Sequence, residues 1–215
     1  MRKLLTIVLL TVAMGISAQG RYCKSYDDFV AGRWVKLNEL RLISHSTAHQ
    51  VWVGGNDFKF ETDDKDVNKT LKKEALVVEY QDTLYVNLRK LRYKKTAFGS
   101  GYAQGLAYDK DKLLFVTHRI GPAVTSHRMA SAFLLGAVGA AISESDIRKD
   151  RVCYLIDNNG DGKKTDIVLM DDEFMNRLLA QDAQLLERYN EKAKHEEREA
   201  AANVLPLLKE KGLVE

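Results

Sequence analysis

Apolar and polar positions alternate in short runs through the first two thirds of the chain, and the period lengthens to that of a helix after Met170. Trp34–Ser44 predicts one strand, with Val35, Leu37, Leu40, Leu42 and Ile43 as its apolar content. Gln50–Val53 and Phe58–Glu61 form a second pair, split by the turn chemistry of Gly54-Gly55-Asn56-Asp57. The clearest hairpin joins Leu76–Tyr80 to Leu84–Leu88 across Gln81-Asp82-Thr83. Two more hairpins pair Leu106–Tyr108 with Leu113–Thr117, and Val152–Ile156 with Ile167–Met170. Hairpins mean short connections between neighbours, hence an antiparallel sheet of roughly six to eight strands rather than βαβ crossovers.

Helical signals are local. Tyr26–Ala31 makes one turn, and Asp63–Ala75 is a polar, helix-capable connection. Asp171 or Asp172 caps a helix over Glu173–Ala180, and Asp182 caps a second from Ala183. Leu179, Leu185, Leu186 and Tyr189 can reach a core, whereas Glu191–Glu199 predicts a charged helix in open water. Val204, Leu205, Leu207 and Leu208 close the apolar pattern before Gly212, and Pro206 predicts a break at Val204–Leu205.

Met129–Ile142 separates the sheet pattern from the last hairpin and is uncharged throughout. As a helix it would extend about 21 Å, short of a bilayer core of roughly 30 Å, so it is not a simple transmembrane span. Ala132, Gly136 and Ala140 are four apart and would form one smooth stripe that another backbone can approach closely. The first expectation is an Ala/Gly-rich segment packed on the protein's own sheet. Self-association or membrane contact through the stripe is the alternative. The fold class is therefore α+β: an antiparallel, hairpin-rich sheet, this apolar segment and C-terminal helices.

Composition changes the picture at the start of the chain. Arg2 and Lys3 precede the apolar run Leu4–Met14 and the small-polar stretch Gly15–Gly20, the pattern of a secretory signal peptide cleaved after Ala18 or after Gly20. This divides the chain into a signal over 1–18, an α+β domain over 19–181 and a helical tail over 182–215. The protein is expected to be exported, periplasmic or associated with the outer envelope. Of 33 basic residues, removal of Arg2 and Lys3 leaves 31 against 30 acidic ones. A net charge near zero predicts no broad field for nucleic acid or for an anionic membrane.

Cys23 and Cys153 are the only cysteines, an even count in an oxidising compartment. A bridge between them would close a loop worth roughly 4–5 kcal/mol in chain entropy. Cys153 also sits in an apolar run, where a free thiol serves as a small core residue. Pairing and burial both stay open on sequence grounds.

The sharpest local motif is Asp157-Asn158-Asn159-Gly160-Asp161-Gly162. Oxygen ligands at Asp157, Asn159 and Asp161 followed by glycine match the front of a calcium loop, with Thr165 a further oxygen. The stretch is similar to the calcium loops of integrin-type β-propellers, although Asp166 lies one residue later than that pattern and Val168 stands where an EF-hand has Glu. A plain tight turn needs the same residues and is the first reading, with calcium as the only candidate cofactor. Gly99-Ser100-Gly101-Tyr102-Ala103-Gln104-Gly105 leads into a strand, not a helix, which removes a dinucleotide-binding reading. His45 and His49 lie in a Ser/Thr loop without the Glu of HExxH; His118 and His127 are distant in sequence. No triad, dyad or cofactor box is present in the sequence.

The Ser17-Ala18-Gln19 leader end, Tyr26-Asp27-Asp28-Phe29, Leu84-Tyr85-Val86-Asn87, Gly101-Tyr102-Ala103, the Ala/Gly stretch and Tyr154-Leu155-Ile156-Asp157 together resemble exported proteins of unknown function from Bacteroidetes-type bacteria. That resemblance covers most of the mature chain. It implies an envelope location and carries no catalytic residues. The expected role is a non-catalytic binding or scaffolding module whose partner is an envelope protein or a glycan, not nucleic acid. An enzyme assembled from scattered His and Asp residues is the rival class.

Overall fold

The computed structural model describes residues 19–45, 56–109, 111–120, 151–157 and 166–215. Its sheet contains β1 (Gly20–Cys23), β2 (Val35–Leu37), β3 (Arg41–Ser44), β4 (Phe58–Glu61), β5 (Val77–Tyr80) and β6 (Thr83–Asn87). It continues with β9 (Tyr102–Tyr108), β10 (Lys112–His118), β11 (Arg151–Asp157) and β12 (Asp166–Leu169). The order is β12-β11-β10-β9-β6-β5-β1-β2, and β4 joins β3 to β9. Every pairing is antiparallel. A separate small hairpin is made by β7 (Arg92–Tyr93) and β8 (Thr96–Ala97).

The three predicted hairpins are present in the predicted pairings. In the first, Gln81 and Asp82 both take positive φ, the type I′ geometry whose twist matches the flanking strands. The predicted strand over Trp34–Ser44 is instead two. The chain turns at Asn38–Leu40, β2 pairs with β1, and β3 pairs with β4. Leu40 is buried on the far side of that turn, so an apolar residue marks a corner there rather than a strand interior. Added edge strands bring the sheet to ten strands among the described residues.

Period-two alternation sorts the sheet into two faces. One face carries Cys23, Val77, Val86, Ala103, Leu113, Phe115, Val152, Tyr154 and Ile156. Phe98 locks it, edge-on to Tyr154 at 4.9 Å and to Phe115 at 5.2 Å. The other face is covered in two places. Near β1 and β5, α2 (Lys65–Lys73) and β4 bury Leu71, Ala75 and Phe60 against Tyr22, Val78, Tyr85 and Tyr102. Over β9–β12 lie α3 (Asp172–Leu179), α4 (Ala183–Asn190) and α6 (Ala201–Glu210), with Met175, Leu179, Leu185, Tyr189, Val204 and Leu208 on Leu114, Cys153 and Leu155.

The polar connection over Asp63–Ala75 is thus a packed helix. Asp64 caps it by accepting from the amides of Asp66 (2.7 Å) and Val67 (3.1 Å). Its last carbonyls are satisfied from the sheet: Asn87 donates to Leu71 O and Ala75 O, and the Tyr102 hydroxyl donates to Leu71 O at 2.6 Å. Gly101 has φ +103°, and a Cβ there would stand 3.0 Å from the Phe58 carbonyl. The glycine-rich stretch therefore lets β4 cross closely over the start of β9.

Two expectations about the tail are corrected. Pro206 does not break the helix, because α6 runs through it with Pro206 on the exposed side, where water can serve the carbonyl left without a partner. Asp171 and Asp182 cap α3 and α4 as expected, and α6 ends at Gly212 (φ +73°). There the Leu213 amide donates to Leu208 O and the Gly212 amide to Lys209 O. Glu191–Glu199 is not one solvated helix. It contains the short α5 (His195–Arg198), and Glu199 is only 4% exposed.

Candidate functional site

The chain leaves β1 after Cys23, and α1 (Tyr26–Val30) forms on a Ser25 cap, whose hydroxyl accepts from the Asp28 amide. The Tyr26 hydroxyl then donates to the carbonyl of Asp111, between β9 and β10. Four strand steps separate β1 from β10, about 19 Å in a flat sheet. Three Cα steps of about 3.8 Å together with the length of the tyrosine side chain cover that distance, so α1 lies back over the sheet toward the β9–β10 turn. The helix consequently lies between two recesses.

The first recess, of about 360 Å³, has Phe29 and Trp34 as one wall, with Leu84, Gln104 and Gly105 from the sheet. Phe29 and Trp34 meet edge to face at 6.1 Å. Arg21 stacks on Trp34, 4.8 Å from the ring centroid, and its Nε and Nη2 donate to the two carboxylate oxygens of Glu79 at 2.8 and 2.7 Å. Arg21 and Glu79 are direct cross-strand neighbours of β1 and β5, which is why the fork meets squarely. That bond is the main reason the guanidinium is pushed above its ordinary pKa, and the charge of Asp82 adds to it. Asp82 and Glu215 complete the acidic side of the recess.

The second recess, of about 330 Å³, is lined by Tyr26, Asp27, Val30, Asp111, Lys112 and Asp157. Burial, reinforced by Asp111 and Asp157, pushes the Tyr26 phenol up to about 12. Asp157, first position of the calcium motif, ends β11 opposite Asp166. Asn159 and Asp161 lie outside the described residues. Among the described residues no three His, Cys, Asp or Glu side chains gather in a metal-holding group.

The opposite end of the sheet holds most of the buried polar groups. Arg151 grips Asp57 in a two-pronged pair, and Asn56 donates to the carbonyls of Phe98 and Ser100. His45 Nδ1 is 2.9 Å from the Asn56 carbonyl, and its amide donates to Asp57 O. His118 faces Arg151 across the β10–β11 ladder. The structure therefore brings His45, His118 and Asp57 to one region, but neither recess described above is lined by a histidine. His49 and His127 lie outside the described residues, as do Ala132, Gly136 and Ala140 of the small-residue stripe. Among the described residues no helix is long and apolar enough to cross a membrane.

The cysteine pairing allowed by sequence is not made. Cys23 and Cys153 are both free and buried. Cys23 points to the face shared with Val77 and Tyr154, while Cys153 points to the opposite face beneath the C-terminal helices. Burial pushes each thiol up to about 12, so both are inert packing residues.

Sequence reasoning missed Arg21, Trp34 and Glu79, because 58 positions separate the ion pair and only the β1–β5 register joins it. It also missed the role of Glu199. That carboxylate accepts from Arg119 and from the Asp172 amide, tying the end of β10 to the start of α3.

A family of unknown function, DUF6563, matches residues 21–215, and the chain belongs to that family. No curated protein matches the chain, and no solved structure does.

Proposed function

With that family membership as the premise, we propose that the protein is an exported, non-catalytic binding module of the cell envelope, and that the recess beside Trp34 receives an envelope protein or a glycan. The observation that carries the reading is the set Trp34–Arg21–Glu79. An aromatic wall and fixed hydrogen-bonding groups orient a ligand, and the bidentate arginine holds the Glu79 carboxylate in one orientation. The Arg2–Ala18 leader pattern supports export. Cleavage after Ala18 suits the sheet better than cleavage after Gly20, since Gly20 pairs with both Leu37 and Tyr80.

Cell fractionation with N-terminal sequencing tests the location: the mature chain should start at Gln19 and leave the cytoplasm. Trp34 emission in a Trp52→Phe background tests the site. Fragments of envelope glycan or soluble envelope proteins should change it saturably, Glu79→Gln should weaken the response, and the ligand should be recovered intact. A ligand that is consumed would replace this reading with the enzyme class, and retention in the cytoplasm would refute export.

A further inference from the structure

Between Thr83 and Tyr108 the chain has no acidic residue, yet Arg89, Lys90, Arg92, Lys94 and Lys95 fall within seven positions. The near-zero net charge of the whole chain hides this local excess. The structure turns all five outward. Leu88 and Leu91 are buried, and Tyr93 packs against Tyr154 at 5.4 Å, so the apolar residues of the segment anchor it while the cations are exposed. The segment is a 3-10 turn over Leu88–Lys90 followed by the β7–β8 hairpin. The Asn87 side chain accepts from the Arg89 amide at 3.1 Å, and Lys94 takes φ +55° at the hairpin tip. None of the five forms an ion pair with a described residue; Lys94 lies 5.1 Å from the centre of the Tyr93 ring. Glu74, just past the end of α2, is an acidic group whose charge interacts with Lys90, and it is itself paired with Lys24.

We propose that Arg89, Lys90, Arg92, Lys94 and Lys95 form a surface that docks the protein on an anionic lipid bilayer. Successive cations are one or two residues apart, within a Debye length of about 8 Å, so their potentials add. A bilayer suits the cluster better than a discrete anion. The charges spread along an extended, exposed segment and line neither recess, which matches a plane of headgroups and not one phosphate. The pre-formed hairpin presents them at little ordering cost. This inference rests on the envelope location proposed above.

Flotation of the mature protein with vesicles tests it. The wild type should rise with vesicles of phosphatidylglycerol and phosphatidylcholine, stay down with phosphatidylcholine alone, and be released by high salt. Each basic residue near an anionic surface is worth roughly a fivefold gain in partitioning, so Lys90→Gln/Lys94→Gln/Lys95→Gln should lower it about a hundredfold with an unchanged melting temperature. Lys192→Gln/Lys194→Gln/Lys209→Gln removes the same charge from exposed lysines of the C-terminal region and should have a far smaller effect. Equal losses in the two triple variants would overturn the proposal, as would absence of flotation, or retention by heparin without flotation, which would assign the surface to an acidic glycan. A protein that sits in the envelope fraction but fails to float refutes the lipid surface alone. One that floats but is retained in the cytoplasm refutes the location alone.

Discussion

Arg151, the first residue of β11, grips both carboxylate oxygens of Asp57, 94 positions earlier and immediately before β4. Nη2 donates to Oδ1 at 2.7 Å, and Asp57 is only 5% exposed. The pair pins the β3–β4 hairpin to the central sheet, to which β4 is otherwise paired at Phe58–Tyr102. Asp57→Ala, which strands a largely buried guanidinium, should cost about 3 kcal/mol in urea denaturation. Asp57→Leu combined with Arg151→Met removes both charges and should recover much of that loss. A double variant as unstable as the single one would show that packing, not charge, holds the hairpin.

Cys23 and Cys153 sit five strand steps apart, about 24 Å along the sheet, and on opposite faces, whereas a disulfide needs Cα atoms within roughly 7 Å. Reducing agent should leave the melting temperature unchanged. Both thiols should resist alkylation until the protein unfolds, since burial holds them up to about 12. A mobility shift on reduction of the monomer would contradict the sheet order.

The Asp172 carboxylate accepts from Arg198 Nε at 3.0 Å and Nη2 at 2.5 Å, and from the Tyr189 hydroxyl at 2.8 Å. The Arg198 hydrogen bonds, with a smaller part from Tyr189, hold its pKa below the ordinary aspartate value. The Tyr189 phenol moves the other way, raised first by burial and then by Asp172. A depressed folded-state pKa contributes stability that is complete above the unfolded value, near 4, and is lost as pH falls through the folded value. The stability advantage of wild type over Asp172→Asn should therefore be constant near neutrality and shrink below about pH 4. An advantage that persists at lower pH would mean the carboxylate's charge contributes nothing to the clasp.

For the Asp157 turn the expected outcome is coincident melting curves in millimolar calcium and in chelator, as for a hairpin connection. A ligand that binds only the folded state must raise the midpoint. A calcium-dependent rise that Asp157→Ala/Asp161→Ala abolishes would establish the metal site instead.

The sequence by itself determined the elements whose causes are local. Alternating β-branched and aromatic residues around Gln81-Asp82 specify the β5–β6 hairpin, and Asp171 and Asp182 start α3 and α4 because a carboxylate one residue ahead caps free amides. Gly212 stops α6 for an equally local reason, its positive φ. The tertiary structure decided everything that depends on what lies across a strand or beneath a helix. Leu40 became a corner because β2 and β3 have different partners, and Pro206 was tolerated because its side of α6 faces water. Glu199, in a run that reads as solvated, was buried by Arg119 from 80 positions away. The recess wall of Trp34 and the Arg21–Glu79 fork exist only through the register of β1 with β5. Hydrophobic period and capping act over a few residues, whereas register and facing join groups tens of residues apart, and only packing of the whole chain fixes them.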